Sequence, residues 1–223
     1  MLDDHTAANI TSYQGLFETP VLTAELSDID HLLAELKALI LQRRKTHTTD
    51  NRSGKGGWQS DIGMLQWGGE PARTVGIQMM QMCNQYTTDV GQTDPQKPRF
   101  EWTAEMWANV NPAGGGHESH THPGAIWSTV FFVDNGLETG EPLENAGELV
   151  LQDPKNPLPI MYKPDLRFRY GDRSVYRSDH RFTPQAGRII AFPSWLAHWV
   201  TPHRGTGDRI SIAMNLMALD ART

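Results

Sequence analysis

Two histidines separated by one residue, His120 and His122, sit in the stretch with the greatest chemical potential, Gly116-His117-Glu118-Ser119-His120-Thr121-His122-Pro123. On an extended segment such residues share a face, with Cα atoms about 6.5 Å apart, so both imidazoles can reach one ion. A catalytic metal needs a third protein ligand while keeping other positions open. His198 is the candidate. The run Gly187-Arg188-Ile189-Ile190-Ala191-Phe192-Pro193 reads as a buried strand reaching a turn, and His198-Trp199-Val200 opens the next extended segment. Downstream, Ile210, Ile212, Met214 and Leu216 alternate with Arg209, Ser211 and Asn215, which share the opposite face. An arginine on a buried strand face needs an anionic partner. Its guanidinium fork matches a carboxylate bidentately, and Ser211 can donate to the same group. These pieces predict a metal site with an anion-binding arm. Glu118 and Asp179 are the carboxylates best able to join it, Glu118 because alternation places it on the face of His120 and His122. His117, His180 and His203 are expected at the surface or behind the ligands.

Positioning these groups requires β structure. Phe100 to Asn111 alternates, with Trp102, Ala104, Met106, Ala108 and Val110 on one face and Trp107, Asn109 and Asn111 on the other. If the second face looks inward, Asn109 is placed to hydrogen-bond a carboxylate or substrate near the metal, or to support the Gly114-Gly115-Gly116 loop. Further strands are predicted over 126–133, 147–151, 181–182, 187–192, 198–201 and 209–216. Short strands separated by Gly, Pro, Asn and Asp suit a jelly roll. Ahead of them, Thr19–Leu26 reads as a strand. A helix capped by Ser27 or Asp28 follows to about Arg44, with Ile29, Leu32, Leu33, Leu36, Leu39 and Ile40 at helical spacing. Residues 45–68 read as a long glycine-rich loop in which Trp58 either lines a substrate entrance or anchors the loop. A second helix is predicted from Glu70-Pro71 to about Val90 through Val75, Met79, Met82, Cys83 and Tyr86, with Cys83 a buried apolar residue.

The expected fold class is therefore mainly β with N-terminal helices (α+β): a cupin-like jelly roll, the double-stranded β-helix, flanked by two helices. One domain is expected over 1–223. Residues 1–97 give the N-terminal strand and supporting helices, and 98–217 the jelly-roll core with an insert at 153–179. In that insert Pro154, Pro157, Pro159 and Pro164 precede Arg167, Arg169, Arg173 and Arg177, interleaved with Phe168, Tyr170 and Tyr176. Such a cluster is either a solvated face or a lid for an acidic or aromatic substrate.

Bulk properties narrow the class. A net charge of −6 over 223 residues, with no basic run, disfavours a nucleic-acid backbone binder. The one cysteine excludes an intramolecular disulfide, and the polar start Met1-Leu2-Asp3-Asp4-His5 does not suit a signal peptide. No apolar run approaches the roughly 20 residues of a spanning helix. A cytoplasmic protein with no membrane partner is expected.

The motifs His120-Thr121-His122-Pro123, Ser128-Thr129-Val130-Phe131-Phe132-Val133 and Phe192-Pro193-Ser194-Trp195-Leu196-Ala197-His198 resemble those of Fe(II)- and 2-oxoglutarate-dependent oxygenases. The likeness is to a bacterial and phage group marked by H-x-H-P and F-P-x-x-L-x-H, over roughly residues 98 to 217. Arg209-Ile210-Ser211 after a strand ending near a histidine is also similar to the prolyl-hydroxylase type. Where the superfamily's usual motif is H-x-D, this chain carries His122, and Phe131-Phe132 stand where relatives often have tyrosines. The resemblance implies Fe(II) on His120, His122 and His198, and 2-oxoglutarate as cosubstrate with its distal carboxylate on Arg209 and Ser211. Asn109 is a further cosubstrate contact, and O2 and a small-molecule or peptide substrate complete the reaction. Two alternatives stay open: a three-histidine cupin-like dioxygenase or isomerase without the oxo acid, and a non-catalytic jelly-roll binding protein with a structural metal.

Overall fold

The computed structural model describes residues 12–49, 54–92, 94, 99–156, 163 and 165–220. Its centre is the pair β4 (Phe100–Asn111) and β11 (Arg209–Asp220), antiparallel in unbroken register from Arg209 opposite Asn111 to Asp220 opposite Phe100. Around this pair a six-stranded sheet forms with β6 (Trp127–Asp134), β9 (Arg188–Pro193), β1 (Leu22–Glu25) and β3 (Trp58–Gln59), in the order β1-β9-β6-β11-β4-β3. A second sheet has the order β2-β5-β10-β7-β8. Its strands are β2 (Gly54–Lys55), β5 (Gly116–His120), β7 (Leu149–Gln152), β8 (Asp179–Phe182) and β10 (His198–Val200).

Period-two alternation divides the apolar residues between two cores. Phe131 packs with Met106, Val110, Ile212 and Met214 against helices α1 (Asp30–Thr46) and α3 (Gly69–Asn84), which present Leu36, Ile40, Val75 and Met79. Its neighbour Phe132 points the other way and joins Leu149, Leu151, Ile190, Phe192 and Leu196 between the sheets. Full burial of each such side chain is worth about 1.5–3 kcal/mol. The fold is the expected one: mostly β, two antiparallel sheets facing each other, with helices on the outside of the larger.

Several boundaries depart from expectation for local reasons. Neither Ser27 nor Asp28 caps α1. Asp28 takes a left-handed φ of 56°, and Ile29 occupies the cap position with no side-chain cap bond. Ile29 packs on the helix-side core instead, so burial outweighs capping there. The second helix ends at Asn84, short of Val90. The Thr87 hydroxyl donates to the Cys83 carbonyl at 2.9 Å, and Tyr86 and Val90 are exposed beyond the end. The 45–68 stretch is not all loop: it contains β2, β3 and a short helix α2 (Met64–Trp67). Trp58 is an anchor, buried in the helix-side core with its indole N–H on the His47 carbonyl at 3.1 Å. Cys83 is buried, and burial pushes its thiol up to about 12, so it behaves as an apolar residue.

The readings of Met1–His5 and of Pro157, Pro159 and Pro164 lie outside the described residues. Among the described residues no helix is long and apolar enough to cross a membrane.

Candidate metal centre

The first ligand candidates are brought together by strand pairing. His198, the first residue of β10, stands directly opposite His120, the last residue of β5. His122 lies two residues beyond β5. Its amide N–H donates to the Ser194 carbonyl at 2.9 Å, which ties the His-Thr-His-Pro turn to the Phe-Pro-Ser-Trp-Leu turn between β9 and β10. The Ser194 amide in turn donates to the Ile126 carbonyl at 3.0 Å. Ring centroids are 4.3 Å apart for His120 and His198, 4.9 Å for His120 and His122, and 5.0 Å for His122 and His198. One ligand nitrogen from each lies within 4.8 Å of the others.

The tautomers suit a metal. His120 Nδ1 sits 2.7 Å from the Glu118 carbonyl and His198 Nδ1 2.9 Å from the Leu196 carbonyl. A carbonyl only accepts, so each Nδ1 carries the proton and each Nε2 keeps its lone pair. Burial, reinforced by the His120 ring, holds His122 down to about 4 and His198 to about 3, so both are neutral ligands at physiological pH. Three convergent imidazoles fit a divalent transition-metal ion.

Glu118 does not share their face. Between β5 and β10 the ladder slips, with His198 opposite His120 but Val200 opposite His117, so two residues of β5, Glu118 and Ser119, face one of β10, Trp199. This bulge reverses the alternation. Glu118 turns outward to an exposed ion pair with Lys55 at 2.8 Å, and His117 turns into the cavity. His117 is thus no surface residue: burial, the Arg209 charge and His120 together hold it down to about 3. His203 is not exposed either. It is fully buried outside the cavity, with Nε2 2.8 Å from the Gly207 carbonyl. His180 is exposed, stacked on Phe182. Asp179 pairs with Arg181 at 3.6 Å and is outside the cluster, which among the described residues contains no carboxylate.

The triad opens on a cavity of about 400 Å³ between the sheets. Arg209 lies at its far end, 1% exposed. Its Nε donates to the Gly147 carbonyl at 2.9 Å and its Nη1 to the Ser211 hydroxyl at 3.2 Å, while Phe132 lies under the guanidinium at 5.4 Å. Gly147 makes this possible: its φ is 73°, and a Cβ there would meet Arg209 Cδ at 3.2 Å. Burial lowers Arg209 to about 10, so it remains charged at neutral pH. Its Nη2 is buried with no hydrogen-bond partner among the described residues, and the same holds for Asn109 Oδ1. Buried polar atoms of this kind ask for a ligand. Arg209, Ser211, Asn109 and Asn215 all line the cavity, as alternation predicts. Glu105, Gln59 and Ser128 also line it. Glu105 is readable in the same way, two residues before Trp107 on the inward face. From the 153–179 insert, Asp153, Tyr170, Val175 and Arg177 line a different groove, beside Tyr13 to Phe17.

Comparison with known proteins agrees with this geometry. Residues 105–215 match the family described as "Putative 2OG-Fe(II) oxygenase". No curated protein sequence matches the chain. A prolyl-4-hydroxylase from Pseudomonas putida is similar in structure at 16% identity and a TM-score of 0.58, over 92% of this chain and 94% of that one. A Trichoplax adhaerens prolyl hydroxylase, solved with a hypoxia inducible factor peptide fragment, is similar at 13% identity and a TM-score of 0.59, over 88% and 83%. The epimerase SnoN, solved with Fe3+, α-ketoglutarate and nogalamycin RO, is similar at 11% identity and a TM-score of 0.60, over 92% and 82%. These likenesses carry the fold, the double-stranded β-helix, and the matched residues span every candidate ligand from His120 to Arg209. Residues 105–215 of this chain form a domain of the 2OG-Fe(II) oxygenase family.

Proposed function

We propose that this protein is an Fe(II)- and 2-oxoglutarate-dependent oxygenase that hydroxylates a small-molecule or peptide substrate, with iron held by His120, His122 and His198. The observation that supports this reading best is the sharing of one cavity by three convergent imidazoles and a buried guanidinium with an unmatched N–H. Fe(II) and 2-oxoglutarate, when bound, supply O2 activation coupled to oxidative decarboxylation of the oxo acid to succinate and CO2.

The protein's own groups then have distinct tasks. The Glu118 and Leu196 carbonyls hold two imidazoles in the tautomer that leaves Nε2 free. Arg209 Nη2 and the Ser211 hydroxyl receive the distal carboxylate, and the Asn109 amide takes a further oxygen. Gly147 and Phe132 fix the guanidinium so that little rotamer freedom is lost on binding. Val130, Leu149 and Phe192 line the space between the two ends and exclude water from it. The proposed catalytic core is 98–217, with 1–97 bracing the larger sheet within one domain.

The all-nitrogen donor set favours a second reading, a three-histidine dioxygenase that uses no oxo acid. An anaerobic titration of the Fe(II)-loaded protein with 2-oxoglutarate separates the two. A charge-transfer band that saturates, and that is lost in His198→Ala together with Fe(II) binding, is the expected result. Iron binding without any such band overturns the oxo-acid assignment and leaves the three-histidine reading.

A further inference from the structure

The inward face of the β4–β11 pair is ordered by charge along its length. At one end Arg209 stands opposite Asn111, then Ser211 opposite Asn109, Ala213 opposite Trp107, and Asn215 opposite Glu105. Asn111 and Glu105 are about 20 Å apart at roughly 3.3 Å per residue. The cavity therefore has a cationic end and, across the triad, an anionic one. Glu105 is half-buried, is the only carboxylate lining the cavity among the described residues, and makes no side-chain hydrogen bond or ion pair with any of them. Nearly every other half-buried acid of this protein is matched, as Asp61 is by Arg43 at 2.7 Å and Asp208 by Arg44 at 2.8 Å. A charge kept beside a desolvated cavity without an internal partner is a group whose partner comes from outside.

Its surroundings specify that partner. Trp107, on the same face and one step nearer the triad, is 8% exposed with its ring centroid 5.7 Å from that of His122. An indole face beside a carboxylate attracts a cation by both its quadrupole and its neighbour's charge. The Ser128 hydroxyl donates to Asn215 Oδ1 at 2.9 Å, which leaves the Asn215 amide N–H groups as donors toward an oxygen of the same ligand. Arg209, the one permanent cation lining the cavity among the described residues, stands at the other end of the strand pair, roughly 20 Å along it, so its repulsion of a positive group at Glu105 is weak.

We propose that Glu105 and Trp107 form the subsite for the primary substrate, and that this substrate carries a basic nitrogen, an ammonium or guanidinium group, which they hold while its neighbouring carbons face the triad. The proposal rests on the oxygenase reading of the same cavity but concerns its opposite end. Anaerobic calorimetry on the protein loaded with Fe(II) and 2-oxoglutarate tests it with paired probes. Nα-acetyl-argininamide and Nα-acetyl-lysinamide are compared with their neutral counterparts, Nα-acetyl-citrullinamide and Nα,Nε-diacetyl-lysinamide. The cationic member of at least one pair should bind about tenfold or more tightly than its neutral counterpart, and the difference should vanish in Glu105→Gln. In Glu105→Lys the preference should turn toward Nα-acetyl-glutamamide, with both variants checked for parental melting temperature. The proposal is overturned if no cationic probe binds, if neutral probes bind equally well, or if the preference survives Glu105→Gln. Failure of 2-oxoglutarate itself to bind the parent protein speaks against the oxygenase reading alone; the probes are then read on the metal-loaded protein with the same criteria.

Discussion

The two sheets present side chains to one cavity by different means. In the larger, two 12-residue strands run side by side without a break in register, backed by helices, and every second residue faces inward. In the smaller, the strands carrying His120 and His198 are 5 and 3 residues long, and the ladder between them slips within that length. The larger sheet thus acts as a ruled frame on which Arg209, Ser211 and Asn109 are fixed by parity as the proposed anion-binding arm. The smaller gets its geometry from one directly opposed pair, His120 and His198, from the turn that carries His122, and from a bulge that turns His117 inward.

That contrast can be broken from either side. The largest effect should come from the frame: Phe131→Ala removes a fully buried ring between the sheet and its helices and should cost about 3–5 kcal/mol in urea unfolding. A cost below about 1 kcal/mol would show that the larger sheet is not the frame. Next, Arg209→Ala should weaken 2-oxoglutarate binding by about 2–5 kcal/mol with Fe(II) affinity near parental, since the arm and the triad sit on different sheets. Arg209→Lys should restore only part, because an ammonium lacks the fork.

The pH dependence of stability belongs to the histidines. His117, His122 and His198 have folded-state pKa values pressed down to about 3, 4 and 3, well below their ordinary unfolded value. In metal-free protein their contribution is fully present above pH 6.5 and is lost progressively as pH falls toward 3, because the unfolded chain takes up protons that the folded chain refuses. His117→Gln should flatten this slope, and an unchanged slope would mean that His117 is not held in the interior. Least of all, Lys55→Ala should leave urea unfolding and Fe(II) affinity at parental values, since its pairing with Glu118 is exposed.

Legibility in the sequence follows the same division. The strand Phe100–Asn111, the inward set Arg209, Ser211, Asn215 and Asn109, and the meeting of His120, His122 and His198 all follow from period two or from motif spacing. Glu118 and His117 were exchanged between inside and outside because a bulge is invisible to a parity argument. The second helix ran too far in prospect because Tyr86 and Val90 continue its apolar stripe, while what ends it is the Thr87 hydroxyl on a carbonyl, a contact made by folding. The cap at Ile29 and the short strands in 45–68 likewise depend on partners distant in the chain, Gly187 for the first and β4 and β5 for the second.

Arg209 also has a consequence for the lifetime of the protein. A buried cation one of whose N–H groups meets no protein acceptor makes the folded state dearer than it would be with a small dicarboxylate in place. Occupancy at a hundred times the dissociation constant contributes about 2.7 kcal/mol, roughly 5–10 °C in melting temperature for a chain of this size. With the oxo acid bound at Arg209 as proposed, persistence against proteases would be coupled to metabolite supply: limited proteolysis of the metal-loaded protein should slow as 2-oxoglutarate is added, because the population of opened molecules falls.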